Sequence, residues 1–257
     1  MSFSRIWAIA SNGFREVIRD RVLYLIGFFA LLLVIALRLL PEVAATTENK
    51  ILIDFGLGAI NLLSVVVAVF VGTSLINKEI EKRTVLALIP KPVSRAEFII
   101  GKHLGLSGVL AVLVIAMTAV YLILLSFSRI EYPFGTILVS TLYMFLELCL
   151  ITAVALMFGV FTSSLLATLL TLGVYLMGNL SPDLLKLGNL SRNSNIQTLT
   201  QWLYLVLPDL SRFNFKNEAV YGLLPSPQTL LGNAIYGLFY TMLLLAIAIL
   251  IFSRREF

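Results

Sequence analysis

Glu147 is the residue whose position asks most of its surroundings. It interrupts an otherwise apolar stretch, 134–161, thirteen residues from its start. A carboxyl group there could line a substrate path, meet a second subunit, or hydrogen-bond a neighbouring helix. Placing it in hydrocarbon costs at least ~2.5–3.5 kcal/mol on insertion scales. Asn61, inside another apolar stretch, is a candidate neighbour on a translocation path. The remaining chemistry-bearing residues are sparse. His103 is the single histidine and reads as a side chain that caps a helix or snorkels to the surface. The single cysteine, Cys149, can form no disulfide within one chain. Gly101-Lys102 is followed by His103, and Ala96 stands where a phosphate-binding loop needs glycine, so G-x-x-x-x-G-K-[ST] fails. Neither G-x-S-x-G nor H-E-x-x-H occurs. No catalytic residue, metal site or cofactor is expected on this chain.

The elements that must carry these residues follow from composition. The 257 residues are 59% hydrophobic and 13% charged, with mean hydropathy +0.97. Soluble chains run at roughly 45–50% apolar and about 25% charged. That balance excludes a disordered tail, a fibrous repeat and a disulfide-stapled secreted domain. It predicts an all-α integral membrane protein. About 20 apolar residues cross a bilayer core, and six segments meet or approach that length: 22–40, 55–76, 104–127, 134–161, 165–180 and 230–252. With six spans both termini share one side. Twelve of the 19 Lys and Arg then fall in inner segments, at 5, 15, 19, 21, 78, 82, 83, 91, 95, 102, 254 and 255. The bias predicts cytoplasmic termini. The formal charge of +5 is thus topological, and no nucleic-acid partner is expected.

Residues 1–21 place Phe3, Ile6, Trp7, Ala10, Phe14, Val17 and Ile18 at helical spacing, with Arg5, Asn12, Arg15, Glu16 and Arg19 mostly opposite. This predicts an amphipathic helix lying in the headgroup plane of the lipid. The following apolar run is too long for a signal-peptide core, and 21 residues precede it.

Segment 77–102 mixes charge and apolar residues on the inner side. Leu86, Leu88 and Ile89 suggest a short helix that Pro90 and Pro92 terminate. Ser94 and Glu97 then form an S-x-x-E capping box, with Val93 and Phe98 at the positions of a hydrophobic staple. The result is a stiff elbow leading into the third span. Such a segment suits either a solvated connector or a docking surface for a soluble partner.

The run Glu79-x-Glu81-x-Arg83-Thr84, then Leu88-x-Pro90-x-Pro92-Val93-Ser94-Arg95-x-Glu97-Phe98 and Gly101-Lys102, resembles the cytoplasmic loop of ABC type-2 transporter permeases. It is most similar to the branch that includes the permease of the nitrous-oxide-reductase copper system. The resemblance extends in layout over the whole chain, 1–257, as a single permease domain. It implies an N-terminal elbow helix, a coupling loop at 77–102 and gate-like helices in the outer segment 181–229. It also implies a separate ATP-binding subunit, which would hold the ATP and magnesium. Glu79, Glu81, Arg83, Thr84 and Leu88 would contact that subunit, and a second permease subunit would complete the path.

Within the outer segment, 181–195 reads as a polar loop, while 196–207 and 219–224 are too apolar to float free and read as interfacial or re-entrant helices. Two rival functions remain at this level. One is a gradient-driven secondary transporter or channel using Glu147; the other is a non-transporting membrane scaffold.

Overall fold

The computed structural model describes residues 2–43, 48–81, 94–191 and 193–254, and they contain helices and no strand. Ten helices follow in chain order: α1 Phe3–Val17, α2 Tyr24–Val43, α3 Glu48–Glu81, α4 Arg95–Phe127, α5 Phe134–Phe161, α6 Ser164–Asn179, α7 Ser181–Leu190, α8 Ser194–Val206, α9 Lys216–Tyr221 and α10 Pro227–Arg254. A wide π-type turn, Ile18–Val22, joins α1 to α2, and a short 3-10 turn, Leu210–Phe213, precedes α9.

Among the described residues, four helices are long and apolar enough to cross a bilayer: α3, α4, α5 and α10. The segments predicted as first and fifth spans are shorter helices. The apolar part of α2 is Tyr24–Leu39, and α6 reaches crossing length only together with α7, from which it bends by 63°. The protein is multi-pass and membrane-embedded. Its centre is α5, which packs against α3, α4, α6 and α10 and buries Leu148, Ile151, Val154 and Ala155. Apolar residues face outward all round the bundle, Ile115, Leu142 and Phe239 among them, as lipid exposure permits.

The structure corrects two expectations. Residues 181–190 form a helix where a loop was expected. Pro182 sits in its first turn, where its missing N–H costs nothing, and Asp183 lies beside it at the positive end of the helix. The short helix expected around Leu86, Leu88 and Ile89 lies outside the described residues, and residues 77–81, expected to open the inner segment after the span at 55–76, are the end of α3. No glycine or proline breaks α3 there, and Asn77 bonds through Nδ2 to the Thr73 carbonyl at 2.9 Å. Helix α1 forms where the amphipathic helix was expected. It packs along the first half of α4, burying Ala10, Gly13 and Val17 and leaving Phe3 and Trp7 exposed. Gly101 and Gly105 of α4 make this possible. A Cβ on Gly105 would lie 2.7 Å from the Ala10 carbonyl oxygen, so only glycine admits the α1 backbone.

Candidate functional site: a charged end and a buried carboxylate

Four pieces of chain meet at one end of the bundle, around the first turns of α4: α1, the end of α3, the start of α4 and the end of α10. Ser94 caps α4, its Oγ accepting from Glu97 N at 3.1 Å, while Glu97 Oε2 accepts from Ser94 N at 2.9 Å. The predicted capping box is therefore present. Glu97 also accepts from Ser2 N at 2.7 Å and lies 4.0 Å from Arg5, so the same carboxylate holds the start of α1. At the opposite end of the sequence, Arg95 donates to the Phe252 and Ser253 carbonyls, and Phe98 stacks on Phe252 at 5.6 Å. Both chain ends thus converge on the turn that follows segment 82–93. The orphan carbonyls at the C-terminus of α10 find a guanidinium, which suits the negative end of the helix.

One turn deeper lies Lys102, whose side chain is 7% exposed. Its ammonium pairs with Glu79 Oε1 at 2.5 Å and with Glu16 Oε2 at 3.6 Å. A buried lysine without a carboxylate partner carries a penalty of several kcal/mol. The pairing joins α1 to the last turn of α3 and the first turns of α4, the two helices that flank segment 82–93 in sequence. Glu79 therefore faces inward to Lys102 in this structure. Arg83, Thr84, Leu88, Pro90 and Pro92 lie outside the described residues, as does the side chain of Glu81. His103 is buried rather than snorkelling. It donates through Nε2 to the Cys149 carbonyl on α5 at 2.9 Å.

The second cluster lies midway along the bundle. Glu147 is 2% exposed, about 20 Å along α5 from its start. Its Oε2 accepts from Asn61 Nδ2 on α3 at 3.1 Å, and its Oε1 from Asn179 Nδ2 on α6 at 3.3 Å. Tyr175, also on α6, donates its hydroxyl to Asn61 Oδ1 at 2.9 Å. The structure thus brings Asn61 and Glu147 together and adds two residues that the sequence reading did not name. Their signal was available: Thr168, Thr171, Tyr175 and Asn179 recur at three- and four-residue spacing along one face of α6. Lower on the same seam Thr168 and the α3 residue Thr73 meet hydroxyl to hydroxyl at 2.9 Å.

Chemically, the cluster gives both carboxylate oxygens an amide donor, which is what makes the burial affordable. It ties three helices at one point. A displacement of α6 against α3 and α5 must break at least one of these bonds, leaving a polar group unpaired in an apolar interior. The charged end ties three helices too, α1, α3 and α4, so α3 belongs to both knots. A family model described as ABC-2 family transporter protein matches residues 7–257. No curated protein sequence matches the chain significantly.

Proposed function

The chain belongs to the ABC-2 transporter family as a membrane permease component, and we propose that it is half of an ATP-driven exporter. Two such subunits, identical or paired with a homologue, work with two copies of a separate ATP-binding subunit. The chain crosses a bacterial inner membrane six times, with α2 and α6 as the shorter crossings, and both termini and segment 82–93 in the cytoplasm. The Lys and Arg bias supports that orientation. The meeting of Ser2, Phe252 and Ser253 at the head of α4 supports it too.

ATP binding closes the ATPase pair against segment 82–93 and the end of α3, where Glu81, Arg83, Thr84 and Leu88 make the contact. The observation that carries this reading is the Lys102 pairing. The helices entering and leaving the segment are bonded to each other and to α1, so a push on the segment is delivered to three helices together. Through α3 it reaches Asn61 and Glu147. On the far side, α7, α8 and α9 form the outer gate.

Co-purification in mild detergent tests the reading. A nucleotide-binding protein elutes with the native chain and is lost from Glu81→Lys and Arg83→Glu. A well-folded native preparation that binds no such partner overturns it. One observation favours a second reading, in which a gradient drives transport: the hydrogen bonds that hold Glu147 come from the neutral amides of Asn61 and Asn179. That reading expects Glu147→Gln to abolish transport while loop charge reversal does little.

A further inference from the structure

Helix α4 ends in an unusual way. Ile130 N donates to the Leu125 carbonyl at 3.2 Å and Arg129 N to the Ser126 carbonyl at 3.2 Å. These are the paired bonds of a Schellman cap, whose left-handed position is normally glycine. Here it is Arg129, at φ 54°, and among the described residues no other non-glycine residue has positive φ. The fold gains nothing from a side chain there, because any Cβ strains that backbone conformation. Arg129 is exposed, and Glu131 is the nearest acid along the chain, exposed as well.

A groove between α4 and α5 runs towards the same end. Its main part, about 480 Å³, lies between Ala111, Ile115 and Leu122 on one wall and Leu138, Leu142 and Phe145 on the other. Thr141 also borders it but spends its hydroxyl on the Leu138 carbonyl at 3.1 Å. Leu122 is shared with a second hollow of about 380 Å³ that continues over Ile123, Ser126 and Phe127. From Ala111 to Phe127 the groove follows about 24 Å of helix. One leaflet with its headgroups is about 20–22 Å deep, half of the whole bilayer. The apolar stretch ends at hydroxyls: Ser126 Oγ and Tyr132 OH are 2.7 Å apart and exposed, and the Arg129 turn follows directly.

We propose that this groove binds a phospholipid, with an acyl chain along α4 from Phe127 towards Ala111 and the phosphate on the Arg129 guanidinium beside the Ser126 and Tyr132 hydroxyls. An apolar channel one leaflet long matches an acyl chain. A planar guanidinium at its polar end matches a phosphate, which it grips by two parallel hydrogen bonds. The requirement for that grip explains why arginine stands where glycine would fit better. The site lies on the outer surface of the bundle, apart from both the Lys102 and the Glu147 clusters, and the inference requires only that the chain spans a bilayer.

The test uses the full-length chain, purified and delipidated in detergent, with its unfolding temperature followed as ligand is added. The probes are a phosphatidylglycerol, the diacylglycerol with the same acyl chains, and inorganic phosphate. The phosphatidylglycerol should raise the unfolding temperature, with the other two giving little. Arg129→Gly should unfold, without lipid, at the same or a higher temperature, yet need roughly tenfold more phosphatidylglycerol for its half-maximal shift. Ala119→Phe, which fills the groove without touching the cap, should lose the response as well. The proposal fails if diacylglycerol matches phosphatidylglycerol, since the groove is then covered by any apolar chain. It fails equally if phosphate alone reproduces the shift, or if both variants respond as the native chain does.

Discussion

Lys102 and Glu79 are 23 positions apart in sequence, yet ammonium and carboxylate sit 2.5 Å apart, across the two helix ends that segment 82–93 connects. The pair ties the end of α3 to the start of α4 directly. It also explains why a lysine can be buried at all in the wall of α4.

The two partners of Lys102 should therefore differ in weight. Glu79 is the nearer and 26% exposed; Glu16 is 3.6 Å away and 50% exposed, so water screens it. Glu79→Gln is expected to destabilise by roughly 2–3 kcal/mol, below the 3–5 of a fully buried pair because Glu79 keeps some solvent. Glu16→Gln should cost under about 1 kcal/mol. Unfolding temperatures in one detergent rank them. Equal effects would mean that Lys102 is held by its surroundings and not by Glu79.

The glycines of α4 give a sharper contrast. Gly105→Ala puts a methyl group 2.7 Å from the Ala10 carbonyl oxygen, which belongs to backbone and cannot swing aside. A cost of about 1–3 kcal/mol is expected, together with faster proteolysis within α1 as the helix lifts. Gly173→Ala is the control. Nothing lies within 4 Å of its Cβ position, and alanine there should be neutral or stabilising by about 0.5–1 kcal/mol through helix propensity. Should both behave alike, α1 is not seated on α4 as described.

These cases mark how far the sequence could be read. Hydropathy located the apolar helices because crossing a bilayer needs a long uncharged run, and Ser94 and Glu97 announced their cap by spacing alone. Asn61 could be named as a candidate neighbour of Glu147, but their bond could not be assigned, since 86 residues separate them and no local rule links α3 to α5. Helix α7 was missed for a different reason. Its asparagine, proline and serine read as loop chemistry, whereas Pro182 is a first-turn residue and Leu184, Leu185 and Leu187 carry the helix. The glycines at 101 and 105 could have signalled a close helix approach, but the apolar face of α1 pointed equally well to lipid.

The cap should be separable from the rest of the α4 start. Ser94→Ala removes the acceptor for Glu97 N and should cost about 0.5–2 kcal/mol. Glu97→Gln keeps an amide oxygen that can still accept from Ser94 N but gives up the charge facing Arg5 and Ser2 N. Glu97→Ala loses everything and should be the worst of the three. If segment 82–93 docks an ATPase, the order of retained partner in co-purification should follow the same ranking, because a loosened α4 start no longer holds the segment.

The Glu147 cluster yields the last prediction. Glutamine at 147 offers one oxygen and one NH2 group where the carboxylate offered two oxygens, so it can accept from Asn61 or from Asn179 but sets its own donor against the other amide. Glu147→Gln should therefore cost about 1–3 kcal/mol, the price of one buried unsatisfied donor. Asn61→Ala should cost a similar amount or more, as it strips a donor from Glu147 and an acceptor from Tyr175 at once. If the two residues act as one unit, the double variant Asn61→Ala, Glu147→Gln falls short of the sum of the singles by roughly 0.5–3 kcal/mol. Additive losses would mean that the bond between α3 and α5 contributes nothing of its own. The coupling between Asn61 and Glu147 would then be absent, and a push arriving through α3 would have no polar link to α5.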